Sequence, residues 1–533
     1  LGAGSDYGIF ILSRYKEERI QGKDRRESML ESVTWAGESI TTSGFTVMVG
    51  FGVLSLSSFS MVSSIGVSLA MGIFVALMFA LTFLPSLIML VGDRVFWPSS
   101  IESFGRSGSN ILDRISYWAK RYFERTARVS IKHAKVIVIA AILVSVPAVY
   151  VVSTMNTSYD MIGTMPDSRS KTGVQEISQG FGGGKIDPVM IALEFDSQVY
   201  NGTSMNLTQL NAQQVAEKVE GLNMSSSFNL TQMDIIEEVC QDIESRENIR
   251  EVTSPSRPFG ERIDYRNMSQ YTVLQRAEYF VAALEYLSHG GEGGMIEVTM
   301  QDQPFSGRSI DTVNELRGLM GQEVEEHDAI QGFYLGGGTA LMYDISSLVS
   351  GEFDLIEMMA ILLIFLILLV VLRAVFTPVR SIVTILMSIV WTLALASLIF
   401  TNLLNDPLLW LMPIVLIVVC LGLGMDYDIF LTTRIREEVH RGKSTDQAIV
   451  DSVKATGGII TICGLIMAGA FGTMTLSGSV MLQEFGFGLA FAILLDATVV
   501  RMYLVPAIMS LLGKWNWWAP RWKRRSQDDS EEE

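Results

Sequence analysis

"LGLGMDYDIF", Leu421–Phe430, is the stretch that decides how this chain folds. It places an Asp-Tyr pair inside an apolar run long enough to cross a bilayer, and "LGAGSDYGIF" at Leu1–Phe10 nearly repeats it 420 positions earlier. A carboxylate in hydrocarbon costs at least about 2.5–3.5 kcal/mol, so intramembrane acids indicate function by default. The duplication strengthens that indication.

The match between the two stretches extends over about 95 residues and predicts an internal repeat. Parallel repeats related by an axis along the membrane normal are a known transporter plan, with sites at the repeat interface. The two copies align without a gap as far as Gly66 and Gly486, and Pro85 matches Pro506 after a one-residue insertion. The matched pairs before that insertion include Gly2/Gly422, Gly4/Gly424, Asp6/Asp426, Tyr7/Tyr427, Phe10/Phe430, Glu18/Glu438, Gly22/Gly442, Lys23/Lys443 and Gly44/Gly464.

The composition indicates a membrane protein. Of 533 residues, 49% are hydrophobic and the mean hydropathy is +0.33, which is too apolar for one soluble domain. A spanning helix needs about 20 apolar residues. Eight such runs predict a polytopic α-helical membrane protein, and residues 1–12 indicate part of one more helix. The runs are Ser39–Phe59, Ser64–Val91, Lys135–Val152, Leu355–Leu372, Ile382–Phe400, Leu408–Leu431, Thr456–Leu476 and Phe485–Leu512.

One long polar stretch separates the spans. Residues 153–351 hold 29 acidic and 12 basic residues, a net charge of −17 that equals the charge of the whole chain. "IDPVMIALEF" and "GMIEVTM" predict strands, and "TVLQRAEYFVAALEYLS" and "SIDTVNELRGLMGQEVEEH" predict amphipathic helices. We therefore expect a mixed α/β external domain. So acidic a surface argues against nucleic acid as a partner.

Lys and Arg are concentrated in several of the loops between spans, and such basic loops lie on the cytoplasmic side of a membrane. Because the chain changes sides at every span, all of these loops fall on one side and the acidic domain falls on the other, outside the cell membrane. "LRAVFTPVRS" and "RWKRRS" are two of these basic segments. N-x-[S/T] acceptor patterns occur only in the acidic stretch and predict glycosylation there. They are centred on Asn156, Asn201, Asn206, Asn223, Asn229 and Asn267.

These observations predict a division into six parts. Residues 1–95 end a first membrane repeat, 96–133 form a cytoplasmic linker and 134–152 form a spanning helix. Residues 153–351 form the external domain, 352–514 the second membrane repeat and 515–533 a cytoplasmic tail. The second copy of the Asp-Tyr stretch follows an external domain and several helices. We therefore expect the same before the first copy, giving twelve helices and two external domains in the complete protein.

The Asp-Tyr pairs predict proton coupling. An Asp carboxyl group takes up and releases protons, and a Tyr hydroxyl can hydrogen bond to either form. Asp6, Tyr7, Asp426 and Tyr427 facing each other across the repeat axis would form a proton relay. Gly2 and Gly422, one helical turn earlier, would let another helix approach closely. The competing interpretation is that the pairs only join two helices.

Other polar residues are weaker candidates. Asp428 has Gly8 as its repeat counterpart and points away from Asp426. Asp496 and Arg501 lie five residues apart in the last span, where a structural ion pair is the favoured interpretation. Glu484 is expected to be solvated. The three Cys and four His residues show no ligand spacing, so no metal or cofactor is expected and no enzyme signature is present.

Taken together, these motifs resemble the MMPL (mycobacterial membrane protein, large) branch of the resistance-nodulation-division (RND) superfamily. G-x-x-x-D-Y occurs twice, with "RIREE" after the second copy, and "LGGGTALMYDISS", "LRAVFTPVRSIVTI" and "DATVVRMYLVPAIM" are similar to the same branch. The sequons and the acidic domain favour an archaeal member. The resemblance covers essentially the whole chain.

The resemblance implies an RND-type fold whose external domain is a βαβ, ferredoxin-like porter domain. It implies export of lipids or other hydrophobic molecules driven by protons, with a homo-oligomer as a further expectation. It also implies that Asp6 contacts Tyr427 and that Asp426 contacts Tyr7. Two alternatives stay open, a sterol-sensing-like lipid receptor that does not pump and a SecD/SecF-type accessory of protein export.

Overall fold

A computed structural model describes residues 2–96, 111–155, 157–160, 162–201, 227–404 and 406–518. The chain divides into two compact units. We call Leu1–Thr157 with Val349–Glu533 the membrane unit, and Ser158–Leu348 the polar unit. The predicted domain limits at residues 153 and 351 lie within a few residues of these divisions.

The described residues in the first part of the membrane unit form helices joined by short turns. Asp24 caps the second helix by accepting a hydrogen bond from the backbone N–H of Arg26. Within the predicted linker 96–133 the structure has a helix with Phe123 and Ala127 buried, so the end of that segment packs as a helix. The helices are α1 (Gly2–Ile20), α2 (Arg25–Leu54), α3 (Ser60–Val91), α4 (Ile111–Lys132) and α5 (Ala134–Ser153).

The polar unit is a four-stranded antiparallel sheet with helices. Its strand order is β2-β3-β1-β4, and both strands predicted from the sequence, β1 and β3, lie at its centre. The inward side chains of β1, such as Ile191 and Leu193, are buried against helix residues. The elements are α6 (Arg169–Phe181), β1 (Val189–Phe195), α7 (Leu230–Glu244), β2 (Ile249–Thr253), α8 (Val273–Glu285), β3 (Gly293–Met300), α9 (Gly307–Glu326) and β4 (Ile330–Gly336).

The second part of the membrane unit contains two π-helical segments, Leu398–Leu403 after α11 and Asp496–Leu504 between α14 and α15. The α-helices are α10 (Gly338–Leu372), α11 (Phe376–Ser397), α12 (Leu411–His440), α13 (Thr445–Gly472), α14 (Val480–Leu495) and α15 (Val505–Leu512).

Seven helices in the described residues are long and apolar enough to span a membrane. Helix α2, which covers most of the predicted span Ser39–Phe59, is not among them, because hydroxyl residues such as Ser43 and Thr46 dilute its apolar character. The eighth full span therefore stays a prediction. The seven are Ser60–Phe96, Ala134–Ser153, Gly338–Leu372, Phe376–Leu403, Leu411–His440, Thr445–Leu476 and Val480–Trp517.

The sequence repeat is also a structural repeat. Gly22 and Gly442 both have a positive φ, +89° and +91°, a conformation that glycine adopts without strain. Beside them, Lys23 Nζ lies 2.7 Å from Glu18 Oε2, and Lys443 Nζ lies 2.7 Å from Glu438 Oε2. The turns at the ends of α1 and α12 therefore have the same backbone and the same ion pair.

Candidate functional site

The two Asp-Tyr stretches meet inside the membrane unit. The rings of the repeat counterparts Phe10 in α1 and Phe430 in α12 stack with centroids 4.3 Å apart. One helical turn away all four predicted proton-coupling residues are buried, with exposed fractions of 3% or less. These are Asp6, Tyr7, Asp426 and Tyr427. The fold thus brings together residues that are more than 400 positions apart in the chain.

The two Asp-Tyr contacts differ from each other. The Tyr427 hydroxyl donates a hydrogen bond of 2.5 Å to Asp6 Oδ2, as the resemblance implies, and lies 2.9 Å from Met467 Sδ. The expected counterpart is absent, because the Tyr7 hydroxyl has no hydrogen-bond partner among the described residues. Ser43 of α2 is a near neighbour of both Tyr7 and Asp426. The site therefore combines a symmetric sequence with an asymmetric geometry.

Glycine lets a neighbouring helix approach the second Asp-Tyr pair. A Cβ atom added at Gly422 would lie 3.2 Å from Val47 Cγ1, so α2 packs directly on that turn of α12. Gly2 lies in α1, and its surroundings fall outside the described side chains.

A buried network of four charges lies on the other side of α12. Asp428 accepts hydrogen bonds of 3.1 and 2.7 Å from Arg380 of α11, and its Oδ1 lies 2.5 Å from Arg501 Nη1. Arg501 also donates to Asp496 Oδ2, at 3.2 Å from Nε and 2.8 Å from Nη2, and to the Gly424 carbonyl. We call Arg380, Asp428, Asp496 and Arg501 the charge network. Its formal charges cancel, which buried ions require.

Sequence reasoning underrated this network. The predicted ion pair of Asp496 and Arg501 is present, but Asp428 is as central as either of them, although the repeat gives it no support. Arg380 was assigned to a basic cytoplasmic segment, whereas the structure buries it in α11. Charge balance could have revealed Arg380 from the sequence. Asp428 and Asp496 both lie in apolar helices, so they require a second cation besides Arg501.

Glu484 corrects another expectation. It was expected to be solvated, but it is fully buried, and its Oε2 accepts a 3.0 Å hydrogen bond from the backbone N–H of Leu409. A carboxylate one turn inside a helix can bond to the free backbone group of a neighbouring turn instead of water.

A small cavity beside α12 is lined by residues of both sets. Tyr427 lies on its wall together with Asp496 and Ser388. Over the ranges that the structure describes, no group of three or more His, Cys, Asp or Glu residues could hold a metal ion.

Three of the six sequons lie in the part of the chain that the structure describes. Asn201 and Asn267 are exposed, and Asn229 caps α7 by accepting from the backbone N–H of Thr231. Asn156, Asn206 and Asn223 lie outside the described residues. Glycosylation stays a prediction.

Buried acids lie at the contact between two repeats, and seven helices in the described ranges are able to span a membrane. These features define a multi-pass protein of the cell membrane that has the plan of a repeat-built transporter. The family model described as the MMPL family matches residues 1–146 and 164–529. The chain belongs to this family, a branch of the RND superfamily.

Relatives share the match over nearly the whole chain. The membrane protein ActII-3 of Streptomyces coelicolor is 28% identical over 100% of this chain and 63% of its own length. The apo-petrobactin exporter of Bacillus anthracis is 23% identical (99% and 63%), and the trehalose monomycolate exporter MmpL3 of Mycolicibacterium smegmatis is 25% identical (99% and 49%). The chain thus spans about half to two thirds of the length of these relatives.

Among solved structures, SecDF in its super-membrane-facing form aligns with a TM-score of 0.49 and 15% identity. The alignment covers 96% of this chain and 53% of that one.

Proposed function

We propose that this protein is part of a proton-driven exporter of lipids or other hydrophobic molecules across the cell membrane. The observation that carries the proposal is the buried hydrogen bond between Tyr427 and Asp6, which joins the two membrane repeats. A proton-accepting group at the contact between two repeats is where proton binding can change their relative position.

Protonation of Asp6 would weaken that contact. A hydrogen bond to an ionised carboxylate is roughly twice as strong as a neutral one. When Asp6 takes up a proton, the bond from Tyr427 loses this charge assistance, and α1 can shift against α12. Asp426, whose expected tyrosine contact is not made here, would bind the proton in the alternative arrangement. Proton binding would thereby favour one of two arrangements of the repeats.

The trehalose monomycolate exporter among the relatives supports a lipid cargo, and the apo-petrobactin exporter supports export more generally. One relative is named as an exporter of trehalose monomycolate and another as an exporter of apo-petrobactin, so the shared activity would be export. We infer that membrane lipids or similar amphipathic molecules are the substrates and that protons are the driving ions. Homo-oligomerisation stays a prediction.

The polar unit would act as an external porter domain. Its antiparallel order β4-β1-β3-β2 corresponds to a ferredoxin-like arrangement, with α8 as an addition between β2 and β3. In this proposal the sheet and its helices would line the route of the substrate outside the membrane.

The test uses the full-length protein in liposomes with an imposed proton gradient and a fluorescent lipid. We expect gradient-dependent lipid transport that Asp6→Asn and Asp426→Asn each abolish. Asp451→Asn is the control, because Asp451 forms an ion pair with Lys443 in the loop after α12. Lipid binding without gradient-dependent transport in the unaltered protein would refute the pump and favour a lipid receptor.

A further inference from the structure

The last membrane helix of the second repeat contains one residue more than its counterpart. Helix α3 runs unbroken from Ser60 to Val91, whereas the equivalent path from Val480 to Leu512 is interrupted by the π segment Asp496–Leu504. Both paths end at a glycine with positive φ, Gly92 and Gly513, which are 421 positions apart, while Gly66 and Gly486 are 420 apart. The extra residue therefore lies between Gly486 and Gly513, and the π segment absorbs it.

The π segment determines which side chains face α12. In an α-helix, residues five apart lie about 140° from each other around the axis, so they cannot both face one neighbour. The i→i+5 bonding of a π-helix winds the chain more loosely and brings such residues closer to one face of the helix. Asp496 and Arg501 are five apart, and both lie against Gly424 of α12.

At the equivalent positions in the described residues of the first repeat, both charged groups are replaced by small residues. Gly8 occupies the position of Asp428, and Ala80 occupies that of Arg501 in the register set by Gly92 and Gly513. The repeats thus share the Asp-Tyr pairs but differ in the charged groups that hold them.

Arg501 contacts α12 on both sides of the second Asp-Tyr pair. Its guanidinium bonds to the Gly424 carbonyl, two residues before Asp426, and to Asp428, one residue after Tyr427. Arg380 holds the other side of Asp428 from α11, and Ser381 donates to the same carboxylate. These bonds fix both the rotation and the height of α12 at Tyr427.

We propose that Arg501, placed by the π segment, is a positioning residue that holds Tyr427 in reach of Asp6. Asp496, Asp428 and Arg380 support it. The second repeat then keeps its Asp-Tyr pair in place, and the movement that accompanies transport occurs in α1. The consequence for transport rests on the proposed function, whereas the positioning itself does not.

The first measurement reads the position of α12 without transport. Phe10→Cys and Phe430→Cys are introduced into full-length protein in which every native cysteine, including Cys240, Cys420 and Cys463, is replaced by Ala. The rate of disulfide formation then reports the contact of α1 with α12, whose rings stack at 4.3 Å. Charge-assisted bonds contribute about 1.5–3 kcal/mol, so their loss should slow cross-linking about tenfold or more.

Two variants remove the contact. Arg501→Gln with Asp496→Asn keeps the net charge and leaves the pair of Arg380 and Asp428 intact. Deletion of Val499, an exposed residue of the π segment, should restore the unbroken helix seen in α3 and turn Arg501 away from Asp496. The matched control is Lys443→Gln with Asp451→Asn, which removes the ion pairs of Lys443 with Asp451 and Glu438 at the turn after α12.

We expect both test variants to fold, to cross-link about tenfold more slowly and to lose about tenfold in transport turnover, with the substrate KM unchanged within about twofold. The control should match the parent. A folded variant of either kind with parental cross-linking overturns the proposal. If the double variant does not fold, the deletion decides alone, and if neither folds, the charge network is structural only and the proposal is wrong. Slower cross-linking in a protein without proton-dependent transport would refute the proposed function and leave the positioning role standing.

Discussion

Replacing Tyr427 by Phe tests the asymmetry of the two Asp-Tyr contacts. The change removes one hydroxyl whose 2.5 Å hydrogen bond joins Asp6 to the second repeat. Hydrogen bonds to charged groups contribute about 1.5–3 kcal/mol, and each 1.36 kcal/mol is a factor of ten in rate. If the step that moves the proton requires the aligned pair, turnover should fall about 10- to 100-fold.

Tyr7→Phe is the matched control. Tyr7 occupies the same position in the first repeat and is equally buried, but its hydroxyl has no hydrogen-bond partner within the described ranges. Its removal should lower turnover less than Tyr427→Phe does, because no hydrogen bond of the Tyr7 hydroxyl is lost in the arrangement described.

The assay measures proton-gradient-dependent lipid transport by full-length protein in liposomes. Thermal unfolding in detergent is measured in parallel, so that a loss of folded protein is not counted as a loss of turnover. Equal effects of Tyr427→Phe and Tyr7→Phe would refute the reasoning, since the two sites would then function identically despite their different geometry.

Three further predictions concern stability. Arg257→Met in the polar unit should lower the free energy of unfolding by about 3–5 kcal/mol, because it leaves Glu237 buried without the Arg257 bonds of 2.8 and 2.7 Å, and adding Glu237→Met should recover most of the loss in a denaturant titration. Burial, followed by repulsion from Asp242, Glu326 and Glu238, raises the pKa of Glu323 from 4.5 to about 7. The folded form therefore binds the extra proton between these values, and the stability of α9 should fall by about 1–3 kcal/mol as the pH rises from 4.5 to 7. Hydrogen exchange of α9 should show this slope, and Glu323→Gln should remove it. Gly66→Ala should destabilise the protein by about 1–3 kcal/mol, because its Cβ would lie 2.6 Å from Leu54 Cβ and 2.7 Å from the Phe51 carbonyl oxygen, whereas Gly72→Ala in the same helix meets nothing within 4 Å and should leave the melting temperature unchanged or raise it.

Each of these stability predictions has an outcome that would contradict it. If adding Glu237→Met does not restore the free energy of unfolding, Arg257 acts through other contacts, such as its 2.6 Å ion pair with Glu244. A pH slope of α9 that persists in Glu323→Gln would assign the titration to another group. Equal melting temperatures for the two alanine variants would show that α2 and α3 can separate at Gly66 without loss of stability.

The sequence by itself determined the repeat, most of the spans and the identity of the Asp-Tyr residues. These are local or periodic features, since an apolar run long enough to span a membrane and a match held over many positions can be read from the order of residues alone. The turns at Gly22 and Gly442 illustrate this, because the backbone conformation that glycine favours recurs where the letters recur.

Only the tertiary structure decided which buried charges are partners. Arg380 and Asp428 are 48 positions apart, and Arg501 reaches Gly424 across 77 positions, so no local spacing relates them. Both contacts depend on the direction in which side chains point around the helix axis. One inserted residue between Gly486 and Gly513 changes that direction through the π segment. The repeat in the sequence therefore predicts two equal Asp-Tyr pairs, whereas the packing of α11, α12 and the π segment makes them unequal.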